Sequence, residues 1–328
     1  MKILASAQEE CINYAKQELI NIIGIKNIKD ISNNVFMFEC NNDFDTISNK
    51  IIASSPIFIR YISPILFEKQ IKSNFTIEDI FTNIVLNNND IYKFYITILN
   101  NNNIDKKYIL DKYFKYFEEN NIILNPKEAN KIISIIIKEN NLYFSIVDTS
   151  KSISSWYLGE HRFKIENNQI SRAEHKLLEA FDYFKINTKK YKTALDLGAA
   201  PGGWSKILLE KNLKVVAVDP AILDSRLLKN KNLSHFKSTS QEFFKRNKEH
   251  YDIIVNDMKM SPEDSLNIMY EARKYLNKNG IMITTLKLNS ENLLEQASKC
   301  VDSVKRKFNF IGVHQLFNNR SECTIVFN

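Results

Sequence analysis

Three of the chain's seven glycines, Gly198, Gly202 and Gly203, fall within six residues. They lie in Ala194-Leu195-Asp196-Leu197-Gly198-Ala199-Ala200-Pro201-Gly202-Gly203-Trp204-Ser205, which reads as a short apolar strand, a tight loop and a helix start. Glycine concentrates where backbone turns sharply or approaches a ligand closely. Twenty-one residues after Gly198, a second apolar strand, Val215-Val216-Ala217-Val218, ends on Asp219. A carboxylate there accepts both hydroxyls of an adenosine ribose, while the glycines let backbone approach the ligand. The loop is not G-x-G-x-x-G, and no Lys-Ser or Lys-Thr pair follows it, so dinucleotides and nucleoside triphosphates are disfavoured.

The run Asp-Leu-Gly-x-x-Pro-Gly-Gly-Trp resembles the S-adenosylmethionine loop of the FtsJ-like (RrmJ-like) RNA ribose methyltransferases. That resemblance implies a cofactor site drawn from Asp196, Gly198, Ala200, Pro201, Gly202, Gly203, Trp204, Asp219 and Asp257. It also implies a catalytic Lys-Asp-Lys-Glu tetrad. Ser171-Arg172-Ala173-Glu174-His175-Lys176-Leu177 is similar to the family's S-R-A-x-x-K-L and offers Lys176. Asp257 follows a strand ending at Asn256, Lys287 closes the strand Ile281–Leu286, and Glu322 opens the last strand. Many members carry an acid after the third strand to hold the adenine amino group. Here none occurs before Glu242, and Ser240 is the expected hydroxyl substitute.

A ribose hydroxyl is a poor nucleophile at neutral pH and needs a positioned base as its proton leaves. A lysine serves if burial or a neighbouring cation lowers its pKa, so Lys176 beside Lys287 is expected to activate Lys287, the base in the family. Asp257 and Glu322 would then orient amines and hydroxyl. Amino-group methylation would call for Asn/Asp-Pro-Pro-Tyr after the fourth strand, where this chain has Asn256-Asp257-Met258-Lys259. Pyrimidine C5 methylation would call for a nucleophilic cysteine beside that edge; Cys323 lies beside Glu322, but nothing like Pro-Cys or Thr-Cys follows the fourth strand.

These residues need a frame. From Tyr191 onward, short apolar strands alternate with helical patterns, which predicts a doubly wound, mostly parallel Rossmann-like sheet covered on both faces, a methyltransferase domain over 169–328. The front half mixes strands and helices in α+β order. It is expected to form a small ferredoxin-like domain over 1–70 and a THUMP-like RNA-binding domain over 71–150, with a linker at 151–168. Asn125-Pro126-Lys127-Glu128 ahead of the strands Ile132–Lys138 and Leu142–Val147 resembles the end of a THUMP domain. With Trp156-Tyr157-Leu158-Gly159 and Glu179-Ala180-Phe181, the whole is similar to the RlmM type, the 23S rRNA cytidine 2'-O-methyltransferases. A tRNA ribose methyltransferase is the alternative, because THUMP modules are common in tRNA modification. A catalytically silent RNA-binding protein is the third reading, and the intact tetrad weighs against it.

Composition bounds the rest. The 328 residues are 44% hydrophobic and 25% charged, within the globular range. No run of about 18 apolar residues marks a membrane span, and Glu9-Glu10 stand where a signal peptide needs its apolar core. A cytoplasmic protein with no membrane partner is expected. Cys11, Cys40, Cys300 and Cys323 have no CxxC spacing and the five histidines add no cluster, so no metal site is expected. Residues 1–160 hold 17 Lys and Arg against 19 Asp and Glu, whereas residues 161–328 hold 28 against 19. A basic second half points to a polyanionic partner such as RNA.

Overall fold

The computed structural model describes residues 1–71, 80, 84, 86–100, 105–164, 167–289 and 291–328. It divides the chain into two compact units, Met1–Glu160 and His161–Asn328.

In the first unit the strands are β1 (Lys2–Ser6), β2 (Ile28–Asp30), β3 (Val35–Glu39), β4 (Tyr61–Gln70), β5 (Ile91–Leu99), β6 (Ile123–Leu124), β7 (Lys131–Lys138) and β8 (Asn141–Asp148). The described helices are α1 (Ile12–Ile23), α2 (Phe44–Ala53) and α3 (Lys106–Glu119). The expected division near residue 70 falls at the end of β4. The strands before and after it form one eight-stranded sheet, ordered β2-β3-β1-β4-β8-β7-β5-β6. The junction is the β4–β8 pairing, with Ile65 opposite Ser145 and Gln70 opposite Asn141. β7 and β8, the strands expected at Ile132–Lys138 and Leu142–Val147, form an antiparallel hairpin whose turn is entered through Glu139 at φ 54°.

The segment expected as a linker is partly built into this unit. Ser152 Oγ donates to the Ile62 carbonyl at 2.9 Å. Tyr157 and Leu158 are buried in the same apolar cluster as Tyr61, Ile132 and Val147. From His161 the chain belongs to the second unit, and linker residues 165–166 lie outside the described residues.

The second unit carries α4 (Ala173–Tyr183), β9 (Thr193–Leu197), α5 (Gly203–Glu210), β10 (Lys214–Val218), α6 (Ser225–Leu228), β11 (Leu233–Phe236), α7 (Ser240–Arg246) and β12 (Tyr251–Asn256). After these come α8 (Pro262–Ala272), β13 (Leu276–Lys287), α9 (Leu293–Lys307), β14 (Phe310–His314) and β15 (Glu322–Phe327). The sheet order is β11-β10-β9-β12-β13-β15-β14. The strands from β11 to β13 pair in parallel, and β15 inserts antiparallel between β13 and β14. This is the doubly wound, mostly parallel sheet that the alternating pattern predicts. Strand order reverses between β9 and β12, which opens a crevice at the carboxyl ends where such folds bind ligands. One face packs Leu177, Trp204, Ile207, Leu208, Ile253 and Ile283 into a shared core. Burying such side chains contributes roughly 1.5–3 kcal/mol each.

Candidate active site

The glycine loop joins β9 to α5 at the reversal. Gly198 has φ +70°, and a Cβ there would come 2.0 Å from Met258 Cγ. Gly202 has φ +115°, and a Cβ would come 2.4 Å from Leu227 Cδ1. L side chains rarely adopt either conformation, so both positions require glycine. The loop is pinned from the neighbouring strand: Gly198 and Ala199 N–H both donate to the Val218 carbonyl, at 2.9 and 3.2 Å. Asp219 adds two more ties, its Oδ2 accepting from Ala200 N at 3.0 Å and its Oδ1 from Ala221 N at 2.8 Å.

Beside the loop, four charged side chains form one cluster. Lys176 comes from the second turn of α4, Asp257 follows the end of β12, Lys287 ends β13 and Glu322 begins β15. Lys176 Nζ lies 2.8 Å from Glu322 Oε2 and 3.3 Å from each Asp257 oxygen. Lys287 Nζ donates to Asp257 Oδ1, lies 3.0 Å from Glu322 Oε2 and donates to Thr285 Oγ1 at 2.7 Å. All four side chains are only 16–18% exposed. Two ammonium and two carboxylate groups balance in charge, which makes their burial tolerable.

Burial alone pushes the Lys176 pKa down, but the adjacent Asp257 and Glu322 carboxylates outweigh it and hold the proton above the ordinary lysine range. Both amines reach the same two carboxylates, Asp257 and Glu322.

The supporting contacts come from residues to which the sequence reading assigns no role at the site. Thr285 Oγ1 donates to Asp257 Oδ1 at 2.5 Å while accepting from Lys287, so one hydroxyl links the two. Thr285 and Lys287 are two apart on a strand and therefore share a face, and this spacing was the available signal. Asn256 Oδ1 accepts from Met258 N at 2.9 Å and its amide donates to Ser265 Oγ at 3.1 Å, which shapes the turn carrying Asp257. Glu174 accepts from Ile170 N, Ser171 N and, at 2.8 Å, Lys206 Nζ, tying the start of α4 to α5. Glu179 accepts from Phe317 N at 2.8 Å and Asn318 N at 2.9 Å, fixing the loop ahead of Glu322.

Lys176, Asp257, Lys287 and Glu322 are thus brought together, and Gly198, Ala200, Pro201, Gly202, Gly203 and Asp219 share the neighbouring loop region. Two other expected cofactor residues have buried side chains. Asp196 is 2% exposed and accepts from Ser205 Oγ at 2.6 Å, at the start of α5. Burial, reinforced by the nearby Asp257 and Asp219 charges, lifts its pKa to about 7. Trp204 is buried in the core and its indole N–H donates to the Ala173 carbonyl at 2.8 Å. Ser240 is a buried first residue of α7, beside the Thr239–Glu242 capping box. Among the described residues no hydrogen bond joins its side chain to the glycine loop.

Comparisons with known proteins agree with this half of the chain. An uncharacterized protein of Methanocaldococcus jannaschii is 29% identical over 154 residues, 46% of this chain and 43% of that protein. The ribosomal RNA large subunit methyltransferase M of Pseudoalteromonas translucida is 24% identical over 229 residues, covering 65% of this chain and 62% of its own length. Its namesake in Halorhodospira halophila is 30% identical over 174 residues, 52% and 50% of the two chains. The alignments therefore take in only about two fifths to three fifths of these relatives. The model of the FtsJ-like methyltransferase family matches residues 169–323, within the second half of the chain.

Proposed function

We propose that the chain is an S-adenosylmethionine-dependent RNA ribose 2'-O-methyltransferase of the cytoplasm, acting on large-subunit ribosomal RNA with cytidine as the expected nucleotide. The observation that carries this reading is the Lys176–Asp257–Lys287–Glu322 cluster beside the glycine loop. The family match and the relatives' names support the reaction class and the RNA.

The residues present fit the cofactor. Asp219 stands partly exposed at the end of β10, and each oxygen accepts one backbone N–H and keeps capacity for a ribose hydroxyl. Gly198, Ala200, Pro201, Gly202 and Gly203 line the approach. When bound, S-adenosylmethionine supplies an electrophilic methyl carbon on a sulfonium. The RNA hydroxyl has to lose its proton as its oxygen forms the new bond to carbon and the carbon–sulfur bond breaks. Lys287 Nζ takes that proton. An ammonium has three N–H groups, and Lys287 directs them at three acceptors, so it must first release one proton. Lys176 keeps its proton at neutral pH and orients Asp257 and Glu322. The front unit, expected as a THUMP-like module, supplies further RNA contacts.

Mapping ribose methylation in total RNA from cells with and without the protein tests the reading. One site lost from large-subunit rRNA is the expected result. A site lost from tRNA redirects the substrate, and an unchanged map overturns the proposal.

A further inference from the structure

The charge of the second unit is distributed unevenly over its sheet. β9 to β14 run in one direction, so connections leading from a helix into a strand gather at the amino edge, away from the ionic cluster. These connections, with the strand residues that follow, are 184–192, 211–214, 229–232, 245–252, 273–279 and 305–309. They contain 17 Lys and Arg against two acids, Glu249 and Asp252, and Asp252 Oδ2 is held by the backbone N–H groups of Lys192 and Thr193. The remainder of 161–328 holds 11 basic and 17 acidic residues, from 28 minus 17 and 19 minus 2. The site edge and helices are therefore net acidic, and the amino edge alone accounts for the positive charge of this half.

All 17 are exposed except Arg273, which is half-buried. Among the described residues only the Lys274 ammonium lies within reach of an acid, Glu271 at 4.0 Å. Helix dipoles favour cations at helix ends by about 0.3–1 kcal/mol, an effect confined to the last turn. That accounts for residues such as Lys211, Lys229 and Lys305–Lys307, which stand in a last turn or within two residues of one. Lys189, Lys190, Lys192, Lys214, Lys231 and Lys278 lie farther from any α-helix end, where the dipole has faded. A belt of lysines whose ammonium groups, Lys274 apart, form no ion pair among the described residues suits a long polyanion, since lysine contacts phosphate as a mobile point charge and needs no shaped pocket.

We propose that the amino edge of this sheet is an RNA-docking surface, gripping the backbone of the RNA whose target nucleotide lies at the carboxyl edge. The inference rests on RNA being the substrate. Strands of five or six residues span about 17–20 Å, so one folded RNA reaches both edges. The charge asymmetry also orients the encounter, drawing RNA to the basic edge first.

The test measures binding of the full chain to a fluorescein-labelled, mixed-sequence single-stranded RNA across a range of KCl concentrations. One variant combines Lys189→Gln, Lys190→Gln and Lys192→Gln. A charge-matched control at the opposite edge combines Lys237→Gln, Lys259→Gln and Arg320→Gln. S-adenosylmethionine affinity checks that each variant is folded. For the first variant the slope of log K against log salt should shrink by about 2, and affinity near ~0.1 M salt should fall about 10–100-fold. The control should lose less. Wild-type binding and slope in the first variant, an equal or greater loss in the control, or no RNA binding by the wild type overturns the proposal. If the wild type binds with this salt dependence but transfers no methyl group, the surface stands and the proposed reaction falls. If it methylates RNA while the first variant binds normally, the reaction stands and the surface falls.

Discussion

Lys287 and Glu322 stand directly opposite each other in the antiparallel register of β13 and β15, with Nζ and Oε2 3.0 Å apart. The pair is therefore fixed by the sheet itself, through backbone hydrogen bonds along two buried strands, and not by a flexible loop. Asp257, at the end of the adjacent β12, completes the contact from the other side.

Substituting Lys287 tests the base directly. Lys287→Ala and Lys287→Arg should both lower methyl transfer by about 10²–10⁴-fold, with cofactor affinity by calorimetry almost unchanged. Arginine keeps the charge but does not release its proton near neutral pH, so an active Lys287→Arg enzyme would refute the assignment.

Thr285→Val preserves shape and removes the hydroxyl that links Lys287 to Asp257. A hydrogen bond contributes about 0.5–1.5 kcal/mol, so kcat should fall about 2–12-fold with KM little changed. Thr285→Ser should restore most of the rate. A Thr285→Ser enzyme as slow as Thr285→Val would show that the methyl group, not the hydroxyl, matters.

Asp219 pins the loop and is the proposed acceptor of the ribose hydroxyls, so Asp219→Ala should weaken S-adenosylmethionine binding by about 1–3 kcal/mol. Calorimetry showing wild-type affinity would remove Asp219 from the cofactor site.

The buried Asp196 carboxyl sets a pH dependence of stability. Its folded pKa of about 7 lies above the ordinary carboxylate value, so between roughly pH 4 and 7 the folded state holds a proton that the unfolded state has lost. Stability conferred by the neutral form therefore falls as pH rises through that window, then levels off. Glu18, buried against the Ile57 and Phe58 N–H groups, is also lifted to about 7 and adds a slope of the same sign. Denaturant titrations should show Asp196→Asn losing less stability than wild type over this range. Parallel curves would show that Asp196 ionises in the folded protein as it does in the unfolded chain.

The glycine loop and the ionic cluster were legible because their chemistry sits at strand ends, and strand ends are marked by short apolar runs such as Thr193–Leu197 and Tyr251–Asn256. The burial of the Asp196 and Trp204 side chains was not legible, because a motif gives residue types in order but not which way each side chain faces. The front unit was less legible. β1, only five residues with Ala5 and Ser6 among them, has no local signal strong enough to mark it, yet it pairs with both β3 and β4. β4 runs from Tyr61 to Gln70, past the end of its apolar run, because β8 supplies hydrogen-bond partners for its polar outer half. Pairing across such a separation leaves no periodic trace in either strand.

The β4–β8 junction has a consequence during synthesis. β4 is complete at Gln70, but the strand that covers its second edge begins only at Asn141. At about 5–20 residues per second, the ribosome needs roughly 4–14 s to deliver that partner. An uncovered strand edge is a template for pairing with other chains. Leu66 and Phe67 stand on the waiting edge, and the Glu68-Lys69-Gln70 run that follows them places charge where a foreign strand would dock. A nascent chain stalled between these two strands would carry its sheet half-built, sheltered from neighbouring nascent chains mainly by those polar residues.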